Sequence, residues 1–325
     1  MLGGGSITTT VLITGAAGFA GSYLAEECVR RGWSVHGTTR PADGAHTAGP
    51  GITLHPVELT AAAAVRVLME QVRPEQVYHL AAQPSVHKAW QDPMGTLTNN
   101  IGAQLHVLTA VHEVCPTARV LVVSSSEVYG RIDAARDAVD EATPFGPLDP
   151  YSVSKVSQEM LALQYHLAFG MHIVRVRPFN HTGPRQSTGF VAPDFARQIA
   201  LIEAGLSEPV IRVGNLEAVR DISDVRDVVS AYTLALCGGE AGTVYNVASG
   251  RGISMSDLLQ AFLALARVSI TVEVDPERLR PIDRPRIVGD PTRLRDATGW
   301  APSIPFEQTV SDTLDYWRSR VAIGG

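Results

Sequence analysis

Residues 11–21 read VLITGAAGFAG, and this stretch decides the fold. VLIT (11–14) is a short apolar run, mostly β-branched, that stops at Gly15. The segment that follows, 20–31, is amphipathic with helical spacing. Glycines at 15, 18 and 21 span the junction, as a phosphate-binding strand–turn–helix requires. Gly15 permits the tight turn, Gly18 lets backbone approach a pyrophosphate, and Gly21 allows close helix–sheet packing. The helix N-terminus adds unpaired N–H groups and a dipole that favours an anion. A glycine-rich turn with no ligand is the plainer alternative, and the strand–turn–helix context speaks against it.

The same alternation continues outward. Strands are expected at 34–38, 53–56, 76–80 and 119–124, and helices at 61–71 and 100–114. Strands alternating with helices imply a parallel sheet with right-handed crossovers. The fold class is therefore α/β, a doubly wound parallel Rossmann sheet. Its strands are short and apolar, as they are when both sheet faces are covered. Beyond about residue 183 the pattern loosens, Pro and Gly rise, and arginines cluster at 278–286 (RLRPIDRPR). A smaller C-terminal substrate-binding subdomain is expected there, interrupted by a return to the sheet over 220–246. The expected division is 9–179 plus 220–250 for a dinucleotide and 180–219 plus 251–320 for substrate.

Composition narrows the class. Of 325 residues, 45% are hydrophobic and 18% charged, which fits a globular core rather than a disordered chain. A net charge of -6 without a basic run argues against a nucleic-acid partner. An anionic nucleotide must then be met by local Arg or Lys. The three cysteines, Cys28, Cys115 and Cys237, show no CxxC and no nearby His cluster. Reduced thiols in the cytoplasm and no metal site are expected. No apolar run reaches about 18 residues, so no membrane span is expected. Residues 1–8 read as a loose leader without the basic and apolar regions of a secretory signal.

The second strand ends Gly37-Thr38-Thr39-Arg40, with no acid to bind a ribose 2′-hydroxyl. Arg40 and Thr38 suit a 2′-phosphate instead, so NADP(H) is favoured over NAD(H). A solvated surface Arg40 is the plainer alternative. Glu58 and Leu59 follow the third strand, at either the adenine edge or a helix entry. Tyr151 and Lys155 in PYSVSK share one helix face. An ammonium beside a phenol favours phenolate, so a tyrosine so tuned can move a proton while hydride moves. Ser125, in SSSEVYG (124–130), follows an apolar strand and should sit at its carboxyl end, where open sheets bind ligands. Its hydroxyl and Tyr151 then converge on one oxygen and polarise a carbonyl. Glu127 is either a base beside that carbonyl or an acceptor for sugar hydroxyls.

These motifs, with YHLAAQPSV (78–86), resemble the extended short-chain dehydrogenase/reductases of the NAD-dependent epimerase/dehydratase family, which modify nucleotide sugars. RPFNHTGPRQSTGFV (177–191), VGNLEAVRDISDVRDV (213–228), VYNVASG (244–250) and LRPIDRPRIVGDPTRLRDATGW (279–300) resemble its GDP-mannose branch, the GDP-6-deoxy-D-mannose reductases. The resemblance runs from residue 11 to about 317. It implies a catalytic set of Ser125, Tyr151 and Lys155, with Asn180 on substrate and His181 near the nicotinamide. Asn215, Arg220 and Arg280 would hold GDP, and guanidinium forks suit a diphosphate. Phe19, Ala20, Leu80, Ala81 and Ala82 would line the cofactor, and Ser85 the substrate.

The implied reaction is NAD(P)H-dependent reduction of the C4 ketone of GDP-4-keto-6-deoxy-D-mannose to GDP-D-rhamnose. The alternative is the related GDP-mannose 4,6-dehydratase. That enzyme oxidises C4, uses Glu127 to remove the C5 proton, loses water, and returns hydride to C6. VRDISDVRD is nearer the reductase form, whereas Pro184-Arg185 resembles the dehydratases. A catalytically silent dinucleotide-binding regulator is a third class, and the intact Ser125, Tyr151 and Lys155 argue against it. The resemblance also implies a homodimer through two helices per subunit, one of them carrying Tyr151 and Lys155.

Overall fold

β1 (Thr10–Thr14) is buried from Val11 to Thr14 and runs inside a seven-stranded sheet. The computed structural model describes residues 8–43, 49–132, 137–278 and 284–324. After β1 come α1 (Phe19–Arg30), β2 (Ser34–Thr39), β3 (Ile52–Pro56), α2 (Ala62–Val72) and β4 (Gln76–His79). Then follow α3 (Val86–Gln91), α4 (Pro93–Val114), β5 (Arg119–Val123), α5 (Pro150–Phe169) and β6 (Ile173–Pro178). The chain leaves this sheet through β7 (Asn180–Thr182), α6 (Val191–Glu203), β8 (Val210–Val213) and β9 (Val219–Asp224). It returns through α7 (Val225–Gly238) and β10 (Val244–Val247). The last elements are β11 (Gly252–Ser254), α8 (Met255–Leu263), β12 (Thr271–Val274), β13 (Arg286–Ile287), α9 (Thr292–Thr298) and α10 (Phe306–Ala322).

The large sheet has the order β10-β6-β5-β4-β1-β2-β3, and every neighbouring pair is parallel. The doubly wound parallel sheet expected from 11–21 is what the chain forms. The strand order reverses at β1 and β4, which opens a crevice at their carboxyl ends. Side chains alternate along each strand. Ile13, Tyr78 and Val176 pack with Leu24 and Leu236 on the α1/α7 face. Leu12, Val77 and Val122 pack with Leu68, Val107 and Ala162 on the α2/α4/α5 face. Fully burying a Val or Leu contributes roughly 1.5–3 kcal/mol, so these two layers hold the crevice rigid.

Two expectations change. The helix expected at 100–114 begins at Pro93, because the Asp92 side chain accepts the Gly95 N–H and Pro93 sits in the first turn. The buried side chains of that opening part are Thr96 and Asn100, so apolar periodicity gave no sign of it. The return to the large sheet, expected from residue 220, begins only at α7. Residues 219–224 form β9 of a smaller sheet, flanked by β11 and β13 and paired also with β7. Asp221 is buried in β9 and accepts the N–H groups of Ser249, Gly250 and Gly289. These bonds fix the smaller sheet over the large one. A separate core of Phe195, Ile199, Val213, Leu258, Phe262 and Leu314 joins α6, β8, α8 and α10. Among the described residues, no helix is long and apolar enough to cross a membrane.

Candidate active site

The glycine turn is a cradle that side chains would fill. Gly15 has φ +71°, and a Cβ on Gly21 would come 2.1 Å from the Gly15 carbonyl oxygen. Gly18 is the N-cap of α1 and makes no side-chain cap, so no side chain occupies the first-turn amides. An anion suits that position, and the pyrophosphate of a dinucleotide fits it. Thr38 has a different job from the one expected. Its Oγ1 accepts the Gly15 N–H (3.1 Å) and its carbonyl accepts the Ala16 N–H (3.1 Å). A buried hydroxyl so engaged braces the turn rather than meeting a 2′-phosphate. Arg40 is exposed at the end of β2. The Glu58 carboxylate accepts the N–H and O–H of Thr60 (3.1 and 2.8 Å) at the entry to α2, and Leu59 is core. Of the two readings open for this pair, the contacts are those of a helix entry.

Thr14 ties β1 to β4. Its Oγ1 accepts the N–H groups of Leu80 (3.2 Å) and Ala81 (3.1 Å). Leu80, Ala81 and Ala82 are half-buried beside the turn. With both lone pairs of Thr14 taken, its O–H donates to Nδ1 of His79 (2.9 Å). The His79 ring proton therefore sits on Nε2. Burial pushes this imidazole down to about 3, and the charge of Lys155 adds to the effect.

α5 carries Tyr151 and Lys155 on its first two turns. Asp149 accepts the Ser152 N–H (2.9 Å) and Ser152 Oγ accepts the Asp149 N–H (3.1 Å), a capping box with Pro150 at N1. Tyr151 and Lys155 follow, one turn apart and both buried. Ser125 lies just past β5, its hydroxyl near enough to the Tyr151 phenol to act on its proton. Burial pushes that phenol up, the Ser125 hydroxyl opposes the rise, and Glu127 and Asp149 add to it. Lys155 Nζ donates to the Val123 carbonyl (2.9 Å) and lies 5.9 Å from the Tyr151 ring centroid. Burial pulls its ammonium down to about 7. The lowering of the phenol expected from Lys155 is not found: burial dominates, and Ser125 is the group that opposes it.

A cleft of about 410 Å³ opens over this edge. It brings Glu127, Asn180, His181, Asn215 and Arg220 together. Arg220 Nη1 donates to the carbonyls of Val219 (2.9 Å) and Arg284 (2.8 Å). His181 stacks on Phe19 at 5.9 Å between centroids, which joins the cleft to the glycine turn. Its imidazole is pulled down by burial. Ser85 stands apart from these lining residues, its hydroxyl accepting the Lys88 N–H (3.2 Å) to cap α3. Arg280 lies outside the described residues. Arg185 lies 3.6 Å over the Tyr23 ring and pairs with Glu26, which fastens the loop after β7 to α1.

Two further arginines bear on the cleft, Arg278 from its lining and Arg284 through Glu127. Arg278 donates to Asp194 (2.6 Å), and Arg284 pairs with Glu127. Both lie in the arginine cluster at 278–286, which was the available signal. Spacing could not say which carboxylate each would meet.

A dinucleotide cradle and a Ser–Tyr–Lys set facing one switch-point crevice define the class, the extended short-chain dehydrogenase/reductases. The family model described as GDP-mannose 4,6 dehydratase matches residues 12–313, and the chain belongs to that family. A GDP-6-deoxy-D-mannose reductase of Pseudomonas aeruginosa is 39% identical over 248 residues, 76% of this chain and 82% of that one. The GDP-mannose 4,6-dehydratase sdnI of Sordaria araneosa is 31% identical, with 94% of this chain matching 60% of that longer one. The solved structure of RMD from Pseudomonas aeruginosa complexed with NADPH superposes with a TM-score of 0.83 at 35% identity. That match covers 96% of this chain and 100% of the other.

Proposed function

We propose that this chain reduces the C4 ketone of GDP-4-keto-6-deoxy-D-mannose with NADPH, giving GDP-D-rhamnose. The observation that carries this is the juxtaposition of the buried Ser125 hydroxyl and the buried Tyr151 phenol at the carboxyl end of β5, beside the cleft. Burial keeps the phenol protonated at neutral pH, which suits a proton donor and hence reduction. Ser125 and Tyr151 hold the ketone oxygen between them. A nicotinamide dinucleotide, when bound, supplies the hydride. As negative charge grows on the C4 oxygen, Tyr151 gives it the phenolic proton. The Lys155 ammonium, close to the ring, meets the phenolate that remains.

The pyrophosphate is assigned to the turn at 15–21 and a 2′-phosphate to Arg40, hence NADP(H) before NAD(H). Arg220 is assigned to the diphosphate of GDP, and Asn180 and Asn215 to sugar-nucleotide oxygens. The cofactor then belongs to the large-sheet unit, 9–179 plus 225–250, and the GDP-sugar to the smaller unit, 180–224 plus 251–320. The reductase relative and the NADPH complex support this reading. The dehydratase relative supports a second one, in which Glu127 takes the C5 proton. The Arg284–Glu127 pair weighs against it. We further propose a homodimer through α4 and α5. The proposed compartment is the cytoplasm, where the unpaired Cys28, Cys115 and Cys237 stay reduced.

The test uses purified protein. NADPH should be oxidised with the keto sugar and not with GDP-mannose. Tyr151→Phe should lower kcat by about 10²–10⁴-fold, the usual share of a general acid. A keto product formed from GDP-mannose without added reductant would sink the reading.

A further inference from the structure

We infer that Arg284 keeps this site a reductase: it ties down the Glu127 carboxylate and so withdraws a base that would otherwise attack the carbon beside the ketone. The inference rests on the reaction proposed above. Arg284 is a positioning residue, acting through Glu127.

Glu127 stands where a base would be effective. It lies in the short turn Ser126–Tyr129, its N–H is accepted by Ser125 Oγ (3.1 Å), and it lines the cleft. Its charge is felt by the Tyr151 phenol. Hydrogens on a carbon next to a ketone are acidic, because the enolate places its charge on the ketone oxygen. Ser125 and Tyr151 stabilise charge on that oxygen whether hydride arrives at C4 or a proton leaves C5. The donors to the oxygen therefore do not select between reduction and enolisation. A free carboxylate within reach would.

That carboxylate is not free. Glu127 Oε2 is paired with Arg284 Nη2, and the two side chains are 24% and 12% exposed. Exposed ion pairs of this chain, such as Arg66 with Glu113, are of another kind, open to water and weak. The Arg284 backbone is fixed as well, since its carbonyl accepts Arg220 Nη1 (2.8 Å). Its second terminal nitrogen, Nη1, is sealed from solvent and has no acceptor among the described residues. Glu127 is thus the counter-charge of a largely buried cation. A lone pair spent on Nη2 is not presented to a C–H bond.

Without Arg284, Glu127 takes the C5 proton, the C5–H electron pair enters the C4–C5 bond, and the C4 oxygen carries the charge. Return of a proton from Glu127, after exchange with solvent, restores the ketone. The net change is isotopic and needs no oxidant or reductant.

The experiment incubates the full chain with GDP-4-keto-6-deoxy-mannose and oxidised cofactor in heavy water, and reads deuterium at C5 by mass spectrometry. NADPH-dependent reduction is measured alongside. Arg284→Met and Arg284→Gln should raise C5 exchange by about tenfold or more, the scale of general-base assistance. Arg284→Lys, which keeps the cation, should stay near the parent rate. Adding Glu127→Gln to Arg284→Met should return exchange to that rate. Variants that still reduce the ketone but show no faster exchange overturn the inference alone, as does fast exchange that survives loss of Glu127. A parent protein that fails to oxidise NADPH with the keto sugar overturns the reductase reading, and the inference with it.

Discussion

Lys155 is an ammonium buried on α5, with burial holding it down to about 7 against an ordinary 10.5. Below about pH 7 the folded state carries the full cost of that buried charge. Between 7 and 10.5 the folded group is neutral while the unfolded one still binds a proton, so stability rises with pH. Lys155→Met should remove this contribution. Thermal unfolding of the two proteins compared from pH 7 to 10 should show the parent gaining on the variant. Melting curves that shift in parallel would count against the buried-ammonium account. Tyr151, Lys155 and Ser125 were legible as residues because a four-residue helical step and a strand end are local facts. The bond from the Gly15 amide to Thr38 was not legible, because that amide is supplied by a neighbouring strand's turn.

At the scale of the element, α5 owes its first turn to the Asp149–Ser152 capping box. Asp149→Ala should cost about 1 kcal/mol of stability in denaturant unfolding. It should also lower kcat, since Tyr151 sits in the turn being loosened. Unchanged kcat with reduced stability would separate the cap from the chemistry. Strands of the large sheet were readable from short apolar runs, with ends shifted by a residue or so. The start of α4 was not, because Asp92 and Pro93 specify it by capping rather than by apolar spacing. β9 was assigned to the wrong sheet for a related reason. Its alternation is that of any strand, and Asp221 chooses its sheet through bonds to Ser249, Gly250 and Gly289.

For the whole molecule, the outer face of α5 is informative. Val153, Met160 and Leu167 are 41%, 38% and 73% exposed, and their seven-residue spacing lines them along one stripe. Leu105 of α4 is exposed as well. Such a stripe suits a helical partner, in line with the proposed homodimer. Met160→Lys should shift the protein from dimer to monomer in sedimentation, with its circular dichroism unchanged. A parent protein that sediments as a monomer would remove that proposal.

The sequence by itself determined the dinucleotide turn, the parallel sheet and the Ser125, Tyr151 and Lys155 set. Each rests on periodicity or spacing within one strand–helix unit, where chain geometry leaves few alternatives. Only the tertiary structure decided what those residues do to one another. It set burial against Ser125 in tuning Tyr151, turned Thr38 inward, and laid Arg284 on Glu127. Arginines and carboxylates are chemically alike along the chain. Their pairing follows from how the smaller sheet crosses the large one, and local spacing does not encode that crossing.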